Sequence, residues 1–218
     1  VLIRAIRGKN LGLLGNKMAG NIIHLIGFPG VGKLTIAKEI ARLGHYVLID
    51  NHKINNPVFS LIGADGKTPL PKATWTHIQN IWNVIYDVME TLSPPRLDFV
   101  MTNALIEAED DHAHCNRLKS IAAKRGGIYV PVLLSCDLEE HQRRVVQPDR
   151  AANYKDINPD TPVISRERGS IKLENDPHCI MLDVTRLSPD RSASIILEQT
   201  GMKLPLELKH ESHHPHHP

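Results

Sequence analysis

With 218 residues, 41% hydrophobic and 23% charged, the chain has enough apolar material for one sizeable core, which excludes a largely disordered protein. Its 26 basic and 24 acidic residues leave a formal charge of +2, so there is no general field to draw in nucleic acid or an anionic membrane, and any anion site must be local. No apolar run approaches the ~20 residues that span a bilayer. The three cysteines, Cys115, Cys136 and Cys179, are odd in number and lack CxxC spacing, so the expectation is a soluble protein of the reducing cytoplasm without a disulfide framework or zinc site.

Residues 1–20 carry Arg4, Arg7, Lys9 and Lys17 and no acidic residue, but they are poor in serine and rich in glycine. Arginines without acids fit a transit peptide and the serine and glycine content does not, so the segment reads as a disordered leader or an upstream translation start, with targeting the alternative, before a domain over 21–201. Ile22–Ile26 is a short apolar run followed by Gly27 and Gly30. After them Ile36, Ala37, Ile40 and Ala41 recur at helical spacing, and Gly44 is expected to close the helix. A second strand over Tyr46–Ile49 delivers Asp50 to its carboxyl end, and a Gly- and Pro-rich loop follows (Pro57, Gly63, Gly66, Pro69, Pro71).

Trp75–Leu92 is an amphipathic helix with Ile78, Ile81, Trp82, Ile85 and Met89 on one face, stopped by Pro94 and Pro95. Phe99–Met101 reads as a third strand, Asp110–Lys124 as a helix and Ile128–Leu134 as a fourth strand. Asp137 and Glu140 have capping-box spacing before a further helix. Gln147–Gly169, with Pro148, Pro159, Pro162 and several charges, suits a flexible lid. Cys179–Leu182 reads as a fifth strand and Ser188–Gln199 as the last helix. Residues 202–218 form a tail with His210, His213, His214, His216 and His217, expected to be disordered. Strands alternating with helices imply an α/β fold of three layers around a five-stranded parallel sheet, with the ligand crevice at the strand carboxyl ends.

The chemistry is concentrated in Gly27-Phe28-Pro29-Gly30-Val31-Gly32-Lys33-Leu34-Thr35, a G-x-x-x-x-G-K loop between a strand and a helix. Glycines let backbone N–H groups turn toward phosphate oxygens, the helix beginning at Lys33 adds its positive end, and Lys33 places a point charge on the β- and γ-phosphates. The hydroxyl that meets Mg2+ usually follows the lysine directly. Here Leu34 intervenes and Thr35 carries it.

The segment resembles the adenylate-kinase form of the loop, G-x-P-G-x-G-K followed by a variable residue and Thr. That resemblance implies Thr35 on the nucleotide phosphates and a magnesium ion held largely through water. In element order residues 21–201 resemble the small-molecule branch of P-loop kinases, the family that includes shikimate kinase, gluconate kinase and chloramphenicol phosphotransferase. The resemblance implies ATP and Mg2+ as cofactors and places Asp50 at the acceptor hydroxyl and the magnesium. It matches Arg143, Arg144 and Arg150 to the lid arginines, and Arg186–Pro189 to the loop beside adenine. Two features depart from it. Met101-Thr102-Asn103 stands where shikimate kinases have a glycine cluster, and the D-G-x-P-R signature of nucleoside monophosphate kinases is absent.

Other residues keep two readings. Asn51, His52, Asn55 and Asn56 are acceptor hydrogen-bonders or Asx turns; Asn103 is an acceptor or magnesium-water residue or a helix cap. Asp50 itself has the alternative of capping the next turn. Arg143 and Arg144 suit a solvated helix face as well as a lid, and Arg166 and Arg168 are further lid candidates. Asp98, at the start of its strand, is expected to face solvent, and His24, Trp75 and Trp82 to pack in the core or a groove.

The reading is an ATP-dependent kinase, monomer or homodimer, with Lys33, Asp50 and Arg150 catalytic. Gly27, Pro29, Gly30, Val31, Gly32, Leu34, Thr35, Arg144 and Arg186 would serve the nucleotide, and Thr35 and Asp50 the metal. The partners are ATP and a small-molecule acceptor. Alternatives are a regulatory ATPase without an acceptor and a nucleotide or nucleic-acid-end kinase, the last disfavoured by the near-neutral charge.

Overall fold

The computed structural model describes residues 20–66, 68–148, 150 and 155–201; the His-rich tail and all but the last residue of the leader lie outside them. In chain order the elements are β1 (Ile22–Ile26), α1 (Lys33–Gly44), β2 (Val47–Asp50), α2 (Asn51–Leu61), α3 (Ala73–Thr91) and β3 (Phe99–Asn103). They continue with α4 (Glu109–Lys124), β4 (Tyr129–Ser135), α5 (Leu138–Val145), α6 (Thr161–Arg168), β5 (Ile180–Asp183) and α7 (Pro189–Gln199). The strands form one sheet in the order β2-β3-β1-β4-β5, and each adjacent pair is parallel.

Period-two alternation divides the buried residues into two cores. Ile23 and Leu25 of β1, with Val100, Val130, Val132 and Leu182, face Ile36, Ile40, Ala193 and Ile196 of α1 and α7. Ile22, Ile26, Phe99, Met101 and Tyr129 face Ile54, Phe59, Ile78, Trp82 and Leu118 of α2, α3 and α4. A sheet covered on both faces explains why its strands read as nearly continuous apolar runs. With all strands parallel, the ends of β1, β2 and β3 lie level, pairing Ile26 with Asn103 and Asp50 with Thr102.

Two local expectations are corrected, and the expected end of α1 at Gly44 is kept. The loop expected after Asp50 begins with α2, so the polar run Asn51–Asn56 is helical and not a string of turns. Pro57 lies inside this helix, where it supplies no N–H and leaves the Lys53 carbonyl without its helical donor. β3 runs on to Asn103, which puts Thr102 and Asn103 in the sheet. Gly44 is the last residue of α1 and His45 takes the left-handed cap conformation with φ 58. Gly44 is small for another reason: a Cβ there would lie 2.6 Å from the Tyr46 ring.

Asp98 is also not where its polarity placed it. It is 8% exposed, and its Oδ1 accepts from the Asn21 backbone N–H at 2.8 Å and side-chain amide at 3.1 Å. Asn21 Oδ1 accepts in turn from Ile128 N, so the pair stitches together the amino ends of the central strands, away from the crevice. Nearby, Arg125 donates to the carbonyls of Met89, Ser93, Pro94 and Leu97 at 2.6–3.0 Å and stands 4.9 Å over the Phe99 ring. It clamps the end of α3 to the start of β3. Lysine cannot reproduce that fork. Arg125→Lys should lower the unfolding free energy by about 2 kcal/mol in urea titrations, and an unchanged midpoint and slope would show that the clamp contributes nothing.

Candidate active site

The expected crevice is a single cavity of about 1870 Å³ at the strand carboxyl ends. One side is the glycine loop. Gly30 and Gly32 adopt φ 97 and φ 108, conformations that a side chain strains to reach. Gly32 is the N-cap of α1 and no side chain caps the helix. The first N–H of the helix to reach a backbone carbonyl is that of Ile36, on Gly32 at 3.2 Å. The N–H groups before it are the orphan donors of a helix start, which suits a polyphosphate.

Lys33 is half-buried, and its Nζ donates to the loop's own carbonyls, Gly27 O at 2.7 Å and Phe28 O at 2.9 Å. Burial, followed by the positive charge of Arg150, pushes its pKa down to about 7; Asp50 pulls the other way and Lys155 adds to the depression. The site therefore holds a cation that is short of anions. Leu34 and Thr35 also line the cavity, with Thr35 exposed to it.

Asp50 closes β2 and is 5% exposed. Its Oδ1 accepts from Thr102 Oγ1 at 3.1 Å and from His52 N at 3.3 Å, making it the N-cap of α2. The capping reading is realised, and Asp50 also lines the cavity: Oδ1 holds the helix, and no bond to Oδ2 is formed by the described residues. Thr102, which the sequence reading passed over, supports Asp50 from the neighbouring strand. Asn103 Oδ1 is taken by His24 Nε2 at 2.9 Å, and His24 Nδ1 pairs with Tyr129 Oη at 2.9 Å. His24 is fully buried and burial holds it neutral.

The opposite flank is built from α5 and α6. Asp137 caps α5 through Glu140 N at 2.8 Å, as expected. Glu140 does not complete the capping box, because its carboxylate takes Arg143 and Arg144 instead, and they hold its pKa at about 2. Arg144 also donates to Val31 O at 3.0 Å, Val184 O at 3.0 Å and Thr185 O at 3.3 Å, which ties the glycine loop to the end of β5.

His141 was missed by the sequence reading. Its Nδ1 accepts from Arg166 at 2.9 Å, so Nε2 carries the proton and donates to Pro29 O at 2.6 Å, while its ring stacks on Phe28. Arg166 also donates to Cys136 O and Pro162 O. The helical step from the cap, Asp137 to His141, was the available signal, since it puts His141 on the inner face of α5.

Arg150 lines the cavity, and its guanidinium donates to Asp156 O at 3.0 and 2.7 Å. The lid segment contains α6, which the irregular composition of 147–169 concealed. Gly66 meets this segment closely: a Cβ on it would lie 2.7 Å from Lys155 O. Two expected nucleotide residues do not line the cavity. Gly27 is buried beneath the loop, and Arg186 is exposed while Val184, Leu187 and Pro189 form the wall beside it. Among the described residues no group of three or more His, Cys, Asp or Glu side chains could hold a metal, and no helix is long and apolar enough to cross a membrane.

No protein-family model matches the sequence, and no curated protein is found related to it. Solved structures match the fold. A sugar kinase from Janibacter sp. HTCC2649 is 16% identical with a TM-score of 0.59, over 84% of this chain and 95% of its own. A putative kinase from Chloroflexus aurantiacus J-10-fl is 14% identical with a TM-score of 0.58, over 86% and 98%. A gluconokinase from Sinorhizobium meliloti 1021 is 14% identical with a TM-score of 0.56, over 85% and 94%. The chain has the α/β fold of the P-loop kinases, a five-stranded parallel sheet between helices.

The depressed pKa of Lys33 makes a signed prediction. At pH 8 a lysine titrating near 7 is about nine-tenths deprotonated, and a bound polyphosphate restores its charge. Calorimetry of ATP binding at pH 8, in buffers of different ionisation enthalpy, should show the wild type taking up nearly one proton more than Lys33→Met. At pH 5.5, where Lys33 is already charged, the difference should vanish. Equal proton uptake by the two proteins at pH 8 would contradict the assignment.

Proposed function

We propose that the protein is an ATP-dependent phosphotransferase that moves the γ-phosphoryl group to a small-molecule acceptor. The observation that carries this reading is one continuous cavity joining the anion cradle at Lys33 to Asp50 and on to α3 and α4. Single-ligand sites are typically ~300–1000 Å³, so about 1870 Å³ accommodates a nucleotide and a second molecule together. The kinase fold supports the same reading. The unpaired thiols of Cys115, Cys136 and Cys179 are consistent with a reducing, cytoplasmic setting.

In this reading the orphan N–H groups of Gly32 through Thr35 hold the phosphates, and Lys33 exchanges its two loop carbonyls for β- and γ-oxygens. Arg144 keeps Val31, and hence the cradle, in place. Asp50 presents Oδ2 toward the acceptor hydroxyl and takes its proton, while Thr102 and His52 N hold Oδ1. Magnesium, when bound, would neutralise charge on the transferring group. Thr35 and Asp50, both lining the cavity, would hold it mainly through its waters, because the described residues offer no larger carboxylate cluster. Arg150 and Lys155 act on the charge of Lys33 and would stabilise the transferring group from the lid side.

Two substitutions test this division of labour. Lys33→Ala should reduce phosphoryl transfer by some hundredfold or more, because it removes a charge-assisted contact to the transferring group and no core packing. Asp50→Asn keeps a good helix cap, so the fold should survive. Transfer should fall by roughly 10²–10⁴ while ATP affinity changes little. ADP production and calorimetric ATP affinity are measured together. If Asp50→Asn moves neither, Asp50 is a cap alone.

A further inference from the structure

The half of the cavity farther from the glycine loop is walled by α2, α3, the end of β3 and the start of α4. Two buried polar atoms there have no hydrogen-bond partner, Asn55 Oδ1 and His114 Nε2. Asn55 is only 7% exposed, and both residues line the cavity. A buried amide oxygen left unpaired is costly enough that native proteins rarely keep one without a partner from water or ligand.

His114 pairs through Nδ1 with Tyr86 Oη, and burial pushes its pKa down to about 4, so it is neutral at physiological pH. Its Nε2 then donates or accepts one hydrogen bond, depending on the tautomer. Asn55 Oδ1 accepts only. A hydroxyl, which does both, satisfies either atom.

The rest of this half is aromatic and poor in available cations. The Trp82 ring lies 5.0 Å from His114 and 5.7 Å from Tyr86, and Trp75, 52% exposed, packs edge-on to Phe59. Its carboxylates are Asp50, Asp110 and Asp111. Among the described residues the cavity-lining cations of α3 and α4 are Arg117, paired with Glu90 at 2.6 Å, and Lys72, exposed at the head of α3, while Arg168, exposed at the end of α6, lines the cavity from the lid. Arg150 and Lys155 influence Lys33 and belong to the phosphate side. Recognition of a carboxylate or phosphate needs a forked or buried cation, and the guanidinium that α4 brings to the cavity, Arg117, is already held by Glu90. The exposed Trp75 ring beside hydrogen-bonding side chains suits a neutral, hydroxyl-bearing ring.

We propose that this half binds an uncharged polyhydroxylated ring, of the nucleoside or glycoside class, with ring hydroxyls on Asn55 Oδ1 and His114 Nε2. That this molecule is the phosphoryl acceptor rests on the phosphotransferase reading; the recognition itself does not. As acceptor, one of its hydroxyl oxygens forms the new bond to Pγ. The bond from Pγ to the β-phosphate oxygen breaks, ADP leaves with that electron pair, and the hydroxyl proton passes to Asp50.

The chain's two tryptophans, Trp75 and Trp82, both line this half, so their fluorescence reports on it. The full chain is titrated without ATP against uridine and UMP, and against methyl α-D-glucopyranoside and gluconate. At least one neutral member should shift the emission saturably and bind tenfold or more tighter than its anionic match. Which pair responds tells nucleoside from glycoside. Asn55→Ala should weaken that neutral ligand about tenfold, with thermal melting confirming the fold; the wild-type pairs decide the matter if the variant does not fold. Equal or tighter binding of the anions, or no response to either neutral compound, overturns the proposal. A neutral ligand that binds but never receives phosphate from ATP leaves this recognition standing and sinks the phosphotransferase reading instead.

Discussion

The site depends on one close approach of backbone to backbone. Where β1 ends, Gly27 passes so near the neighbouring strand that a Cβ would lie 2.7 Å from Leu134 O and 3.0 Å from Val31 Cγ1. That proximity lets the chain turn at once into the loop and start α1 at the carboxyl end of the central strand, where the loop lines the crevice. Gly27 does not itself line the cavity. It acts one layer below, and the loop above it follows.

A loop that gathers positive character needs support from outside, and α5 and α6 provide it through directed hydrogen bonds. His141 donates to Pro29 O, Arg144 to Val31 O, and Arg166 fixes the tautomer of His141 while holding the end of β4 through Cys136 O. The cost of this arrangement is concentrated on Lys33, half-buried near Arg150 and Lys155 and satisfied by two carbonyls of its own loop. In the proposed reading a bound phosphate would offset that depression of the Lys33 pKa.

The glycine loop and the five parallel strands were legible in the sequence because each is a local pattern: G-x-x-x-x-G-K between an apolar run and a 3.6-residue periodicity, and buried strands of nearly unbroken apolar residues. Asp50 was legible for the same reason, standing where an apolar run ends. What escaped depended on contacts distant in sequence. A helix over Asn51–Leu61 escaped because Asn and Pro57 disfavour helix locally and left a loop as the expectation, but Ile54 and Phe59 pack into the α3 and α4 core and override that preference. Asp98 read as solvent-facing until its partner Asn21, 77 residues away in sequence, came beside it. Asn55 was named as a candidate acceptor residue, but His114, on α4, joins it at the cavity only through the fold. No spacing rule joins them.

The central claim is that this cavity transfers a phosphoryl group to an organic hydroxyl instead of merely binding or hydrolysing ATP. The most direct measurement follows the label from γ-32P-ATP when the full chain is incubated with magnesium and a mixture of small neutral hydroxyl compounds, and then separates the products. The account predicts that label leaves ATP for a new organic phosphate, at a rate that depends on the mixture and is lost in Lys33→Ala. Label that stays in ATP, or emerges only as inorganic phosphate whether or not the mixture is present, would contradict it.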